Sequence, residues 1–313
     1  MKQTWFKLIC QKEQLQLLGT LNGGQSFRWK FTEAEGDKKW TGVFSDHVWV
    51  LKQTDDCILY QVYGSENSED FYNKLLSNYF QLNLDLKEKF AEWSSKDPIF
   101  EKAASQFYGI RILKQDLVEN IFSFICSSNN NISRITGMVE KLAKFYGEKI
   151  CELEDQTYYS FPKIDSLADD KVESVLKKEG FGYRAKYINQ SAKIIMQEGG
   201  EKWLDDLKKL PYEESKSKLM TLTGIGPKVA DCICLMSLGH LGTIPIDTHV
   251  YQIARKFYMP HLPKRKKVTA TIYKDIGDHF RELYGPLAGW AHTVSPFLRR
   301  LEKIPNRRKL ISF

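Results

Sequence analysis

Hydrophobic and polar positions change their period about one fifth of the way along this chain. Up to Tyr63 the apolar residues gather in short runs rich in aromatic and β-branched side chains, at 24–31, 40–44, 48–53 and 57–63, with turn formers between them. Such runs predict strands. Ser45-Asp46-His47 predicts a hairpin turn between two of them. After Gly64 the spacing becomes helical, with Phe71, Leu75, Leu76 and Tyr79, then Phe90 and Trp93, each set falling on one face. Residues 1–107 therefore predict a small antiparallel sheet with helices packed against it.

From about Phe107 onward strand signals nearly vanish. Helical periodicity predicts elements at 116–126, 132–146, 167–178, 184–197 and 212–221, a further helix carrying Ile233, Leu235 and Met236, and another over 269–283. Gly147 and Gly180 stand where helix stops belong. The longest irregular stretch falls at 259–267. The class is α+β, an antiparallel sheet with packed helices followed by an all-helical unit over 108–313.

Composition narrows the partner rather than the fold. The 313 residues, 42% hydrophobic and 27% charged, suit about two ordinary globular units. Lys and Arg exceed Asp and Glu by 46 to 39, a net charge of +7. Between Thr248 and Lys274 there are seven basic residues and no acid, and the tail from Arg299 to Lys309 is similarly basic. A phosphate backbone would be drawn to this third of the molecule. Six scattered cysteines, with one C-x-C pair, read as reduced thiols. The first residues lack a secretory leader, and no run of about 20 apolar residues occurs, so neither secretion nor membrane spanning is expected. The basic run at 263–268, Pro-Lys-Arg-Lys-Lys-Val, is of the kind nuclear import receptors read.

The richest segment is Leu222-Thr-Gly-Ile-Gly-Pro-Lys-Val-Ala-Asp231, near the middle of a predicted helix-hairpin-helix at 212–240. Gly224 and Gly226 permit a sharp turn and close approach, and Pro227 opens the second helix. Free amides at that helix start form an anion site, or the segment is a plain interhelical turn. Lys228 falls at the second helical position, where the dipole disfavours a positive charge. Its pKa is expected to be lowered, which would make the amine a nucleophile able to form a Schiff base. Nineteen residues on, Pro245-Ile-Asp247-Thr-His249 offers a carboxylate just before another helix. Asp247 either caps that helix or, brought beside Lys228, stabilises positive charge on a sugar ring.

The hairpin with Lys228, followed by Ile-Pro-Ile-Asp247, resembles the helix-hairpin-helix DNA glycosylases. More narrowly, the eukaryotic 8-oxoguanine DNA glycosylases are similar in five blocks that run in family order: Gly24-Gln-Ser-Phe-Arg-Trp29, Phe122-Ser-Phe-Ile-Cys-Ser-Ser-Asn-Asn-Asn131, Gly182-Tyr-Arg-Ala-Lys-Tyr187, Lys228-Val-Ala-Asp-Cys-Ile-Cys-Leu-Met236 and Gly289-Trp-Ala291. The resemblance implies a TATA-binding-protein-like first domain and a bifunctional glycosylase/lyase that flips the lesion out of duplex DNA. It implies that Lys228 attacks C1′, that Asp247 stabilises the transition state and assists lysine deprotonation, and that no metal or organic cofactor is needed. The Gly24 carbonyl would accept the N7 hydrogen that distinguishes 8-oxoguanine from guanine, and Cys232 would line the base pocket. Asn129, Arg134 and Arg184 would recognise the cytosine left opposite, Tyr183 would wedge into the stack, and His249 would contact phosphate. The partner is duplex DNA bearing 8-oxoguanine opposite cytosine, the protein is expected to act as a monomer, and its expected compartment is the nucleus, with a mitochondrial share open.

One block departs from the family pattern. Where glutamine usually follows Gly-Trp-Ala, here stands His292, and the aromatic expected four residues later is displaced to Phe297 after Pro296. A histidine cannot copy the paired donor and acceptor of an amide, so a shifted preference among oxidised purines is one alternative. A DNA-binding hairpin module without catalysis is another. The iron–sulfur branches of the superfamily are disfavoured, because no cysteine follows Cys234. Zinc-dependent base deamination is disfavoured by the absence of an H-x-E and P-C-x-x-C pair.

Overall fold

The structure, a computed structural model, describes residues 4–264 and 268–294. Five strands, β1 (Phe6–Ile9), β2 (Trp29–Ala34), β3 (Asp37–Phe44), β4 (His47–Gln53) and β5 (Cys57–Tyr63), form an antiparallel sheet in the order β1-β5-β4-β3-β2. Ser45 and Asp46 turn β3 into β4 with φ of 51° and 55°, the left-handed pair that a two-residue hairpin requires, and this pairs Phe44 with His47. Helices α1 (Leu17–Leu21) and α2 (Glu69–Tyr79) cover the sheet. Their core joins Trp49, Leu51, Ile58 and Tyr60 of the sheet to Tyr72, Leu76 and Tyr79 of α2.

The next helices, α3 (Leu86–Lys96) and α4 (Pro98–Ala104), bury Leu86, Phe90, Trp93 and Phe100 in a second core, shared with the helical remainder. At its centre lies α5 (Leu117–Ser127), in which Leu117 and every residue from Asn120 to Cys126 are buried. A helix enclosed on all sides has no polar face, which its run of Ile, Phe and Cys already foreshadows. Around it follow α6 (Ile132–Tyr146), α7 (Ile164–Ala168), α8 (Val172–Lys178), α9 (Arg184–Gln197), α10 (Glu201–Leu207), α11 (Tyr212–Leu219), α12 (Pro227–Met236), α13 (Thr248–Ile253), α14 (Ala270–Tyr284) and α15 (Ala288–Ala291).

Four expectations need correction. The second part is not wholly helical, because β6 (Lys149–Leu153) and β7 (Gln156–Tyr159) form a hairpin whose positions are half-buried or exposed and carry little apolar periodicity. The run at 24–31 becomes a strand only from Trp29, since Gly24 adopts φ +73°, outside the β region. β1 escaped the strand pattern altogether. The helix expected at 167–178 breaks in two where the Asp169 carboxylate accepts the Lys171 amide at 2.8 Å, drawing the backbone out of the helical ladder.

Candidate active site

α11 turns into α12 through Gly224 and Gly226. Gly224 takes φ +87°, a left-handed conformation that glycine adopts without penalty. Gly226 is the extended residue before α12 and carries no capping side chain, while Pro227 has no amide to satisfy. The remaining first-turn amides are therefore left for a ligand. Gly226 is exposed, and a β-carbon there would meet nothing within 4 Å, so an anion has room to approach.

One step further, Lys228 is half-buried and its Nζ lies 5.3 Å from the centre of the Phe124 ring on α5. Cys232, one helical turn on and buried, hydrogen-bonds the amine. The lowered lysine pKa expected from the helix dipole is not what the site produces. Cys232 and, more weakly, Asp247 hold the ammonium above the ordinary lysine value, while burial pulls it the other way. The dipole of a ten-residue helix is outweighed by a sulfur and a carboxylate at close quarters. Burial in turn pushes the Cys232 thiol up. The resting amine is thus an ammonium that must shed its proton before it can attack.

Asp247 takes up the capping role open to it. As the residue before α13 it accepts the amides of His249 at 2.8 Å and Val250 at 2.9 Å, both through Oδ1. Oδ2 takes neither bond, and the carboxylate lies within electrostatic reach of Lys228, Cys232 and His292. His292 is buried, and burial drives its pKa down to about 4 against the pull of Asp247, so the ring is neutral. Its Nδ1 is enclosed and has no hydrogen-bond partner among the described residues. Lys228, Cys232, Asp247 and His292 thus form one cluster drawn from three separate segments. Phe297 lies outside the described residues.

The segment after Gly24 is tied to the helices of this cluster through contacts that periodicity could not disclose. The next residue, Gln25, donates to the Arg111 carbonyl at 2.7 Å, accepts the Leu113 amide at 2.9 Å, and through its own carbonyl accepts the Gln115 side chain. The Gln115 amide then donates to the Met236 carbonyl at the end of α12, 2.8 Å away. Phe27 packs edge-on against Phe124, ring centres 5.8 Å apart, beneath the lysine. Gln25, Gln115 and Phe124 were not singled out as site residues. Their only sequence signal is that Gln25 and Phe124 stand inside two of the shared blocks.

The remaining expected contacts gather at the end of α5. Asn131, rather than Asn129, caps α6 by accepting the Arg134 amide at 3.0 Å, and Asn130 donates back to the Cys126 carbonyl at 2.9 Å. Asn129 is exposed and sits at φ +46°, a conformation that asparagine tolerates better than most residues. Across from it, Tyr183 is 47% exposed and donates to the Ser128 carbonyl at 3.0 Å. Arg184 is buried, donates to the Ser128 and Asn129 carbonyls, and lies 4.5 Å from the Tyr183 ring centre. Exposed Arg134 reaches the Gly180 carbonyl at 3.1 Å. Asn129, Arg134 and Tyr183 therefore share one surface, with Arg184 buried beneath it, and exposed His249 lies beside Asp247.

Comparisons with known proteins follow this division of the chain. Residues 7–121 match the 8-oxoguanine DNA glycosylase N-terminal domain, and residues 122–276 match the HhH-GPD superfamily of base excision DNA repair proteins. The N-glycosylase/DNA lyase OGG1 of Arabidopsis thaliana is 37% identical over 294 residues, 93% of this chain and 79% of that protein. Among solved structures, MBOgg1 in complex with a low affinity DNA ligand superposes with a TM-score of 0.82 at 33% identity, covering 97% of this chain and 98% of the other. The Clostridium acetobutylicum 8-oxoguanine glycosylase/lyase, in complex with double-stranded DNA containing cytosine opposite 8-oxoguanine, gives 0.78 at 31% identity over 93% of each chain. With two adjoining family matches from residue 7 to residue 276 and relatedness sustained beyond nine-tenths of its length, this chain belongs to the 8-oxoguanine DNA glycosylase family of the helix-hairpin-helix superfamily.

Proposed function

We propose that this enzyme flips 8-oxoguanine out of duplex DNA, excises it opposite cytosine with Lys228 as nucleophile, and then nicks the strand. Bifunctional glycosylase/lyase chemistry is the activity of the family to which the chain belongs. The observation that carries the residue assignment is the half-buried Lys228 amine held among Phe124, Cys232 and Asp247, on a helix tied through Gln115 and Gln25 to Gly24.

In this reading the Lys228 ammonium passes its proton on once the lesion is seated, with the Asp247 carboxylate as the charged acceptor at hand. The C1′–N9 bond breaks and its electron pair leaves with the base, which takes the proton from Asp247 and so restores the carboxylate charge. The Asp247 charge stabilises the positive sugar, and the amine forms the new C1′ bond. Ring opening gives an imine that acidifies C2′. Loss of a C2′ proton then expels the 3′ phosphate by β-elimination. Asn129, Arg134 and Arg184 read the orphaned cytosine, Tyr183 fills the gap in the stack, and backbone phosphate rests on the amides after Gly226 and near His249. The protein acts on DNA as a single copy and in the nucleus, a location supported by its basic run at 263–268.

Borohydride reduction tests the covalent step. The wild type is expected to be trapped on an 8-oxoguanine:cytosine duplex, and Lys228→Gln is not. Equal trapping of both would assign the nucleophile elsewhere, and no trapping of either would favour a module that only binds DNA.

A further inference from the structure

The Lys228 helix and the Asp247 cap belong to segments nineteen residues apart, yet one hydroxyl joins them. Tyr273 on α14 donates its phenol hydrogen to Asp231 Oδ2 and accepts the Ile246 amide at 3.1 Å. Asp231 lies three residues beyond Lys228, on the adjoining turn of α12. Ile246 immediately precedes Asp247. A single oxygen atom therefore sits between the element that carries the amine and the residue next to the carboxylate.

The Asp231 end of this bridge is anchored. Its side chain is 1% exposed, and its carboxylate also accepts the Tyr212 hydroxyl at 2.9 Å and the Lys216 ammonium at 3.0 Å from α11. That ammonium lies 5.3 Å from the Tyr212 ring centre and 4.9 Å from that of Tyr273, which pins the phenol from the side. A buried carboxylate with a full set of donors resists displacement, because moving it would leave a charge without partners. The Ile246 amide has the hydroxyl as its acceptor, and a shift of Asp247 away from α12 would cost that bond.

We propose that Tyr273 is a positioning residue for the glycosylase reaction: its hydroxyl fixes Asp247 relative to the Lys228 amine by bridging Asp231 and the Ile246 amide. The proposal rests on the assignment of Lys228 and Asp247 above. Tyr273 itself touches none of the reacting atoms. It acts through geometry, where an error of about 1 Å is enough to cost on the order of a hundredfold in rate.

Tyr273→Phe removes the oxygen and keeps the ring, which spares the packing of α14. The expected result is a fall of at least about tenfold in the single-turnover excision rate, with affinity for an 8-oxoguanine:cytosine duplex changed by less than about twofold. In an Asp247→Asn background the same substitution should cost less than about twofold, since the carboxylate to be placed is already gone. Equal cost in both backgrounds, or no cost in the wild type, would overturn the proposal, as would a loss confined to duplex affinity. Borohydride trapping of Lys228→Gln, run alongside, separates the two levels. Persistent trapping there would sink the site assignment and this proposal together, whereas failure of the double-substitution test with trapping abolished would sink this proposal alone.

Discussion

The Tyr187 ring occupies the space that a β-carbon on Gly224 would need: placed there, that carbon would stand 2.5 Å from Cδ2 of the ring. Tyr187 in turn packs edge-on against Tyr183, ring centres 5.3 Å apart. The Gly224 hairpin and the exposed Tyr183 are thus two contacts apart.

Gly224→Ala should destabilise the fold by about 2 kcal/mol, from left-handed backbone strain and from displacement of Tyr187, and should weaken duplex binding. Gly226→Ala, on extended backbone with open space around it, should stay within about 0.5 kcal/mol of the wild type. Denaturant melts of the two variants decide the matter, and matched midpoints would refute the steric account.

Cys232→Ala removes the group that contributes most to raising the Lys228 pKa. The acid limb of the excision rate, measured in single turnover against pH, should move toward lower pH. An unmoved limb would mean that another group sets the proton affinity of the amine.

His292 titrates near 4 in the folded protein and near 6.5 when unfolded, so the unfolded chain binds more protons between these values. Stability conferred by the neutral ring is complete above about 6.5 and is lost as pH falls toward 4. Relative to His292→Gln, the wild type should therefore lose about 2 kcal/mol between about pH 7.5 and pH 5. Parallel pH–stability curves for the two proteins would contradict the burial of this ring. The same variant, assayed on 8-oxoguanine and formamidopyrimidine duplexes, should change the ratio of the two cleavage rates, because an amide offers a donor and an acceptor where the ring offers one.

Gln25→Ala deletes the donor to Arg111 and the acceptor for Leu113, two buried bonds worth about 1 kcal/mol each. With the Gly24 carbonyl less firmly held, the kcat/KM ratio for 8-oxoguanine over guanine should fall by about tenfold or more. Selectivity that survives the substitution would show that Gly24 is positioned by other means.

Several features were legible because they are local. The alternation of β3, β4 and β5, the Ser45-Asp46 turn, and the helices beginning at Ile132 and Arg184 are each written within a dozen residues. The hairpin at Gly224 and Gly226 announced itself by residue type alone. What escaped depends on partners distant in sequence. The proton affinity of Lys228 is set partly by Asp247 nineteen residues on, and Gln25 finds its partners 86 to 90 residues away. Which of three consecutive asparagines caps α6 is a distinction that composition cannot make.

α5 ends beneath the amine and begins the loop that carries Asn129, so a rod of fixed rise links the surroundings of Lys228 to Asn129. A single residue inserted between Phe124 and Asn129 should swing Asn129 about 100° around that rod while leaving the amine in place, and, on the roles proposed above, should uncouple base removal from the choice of opposite base.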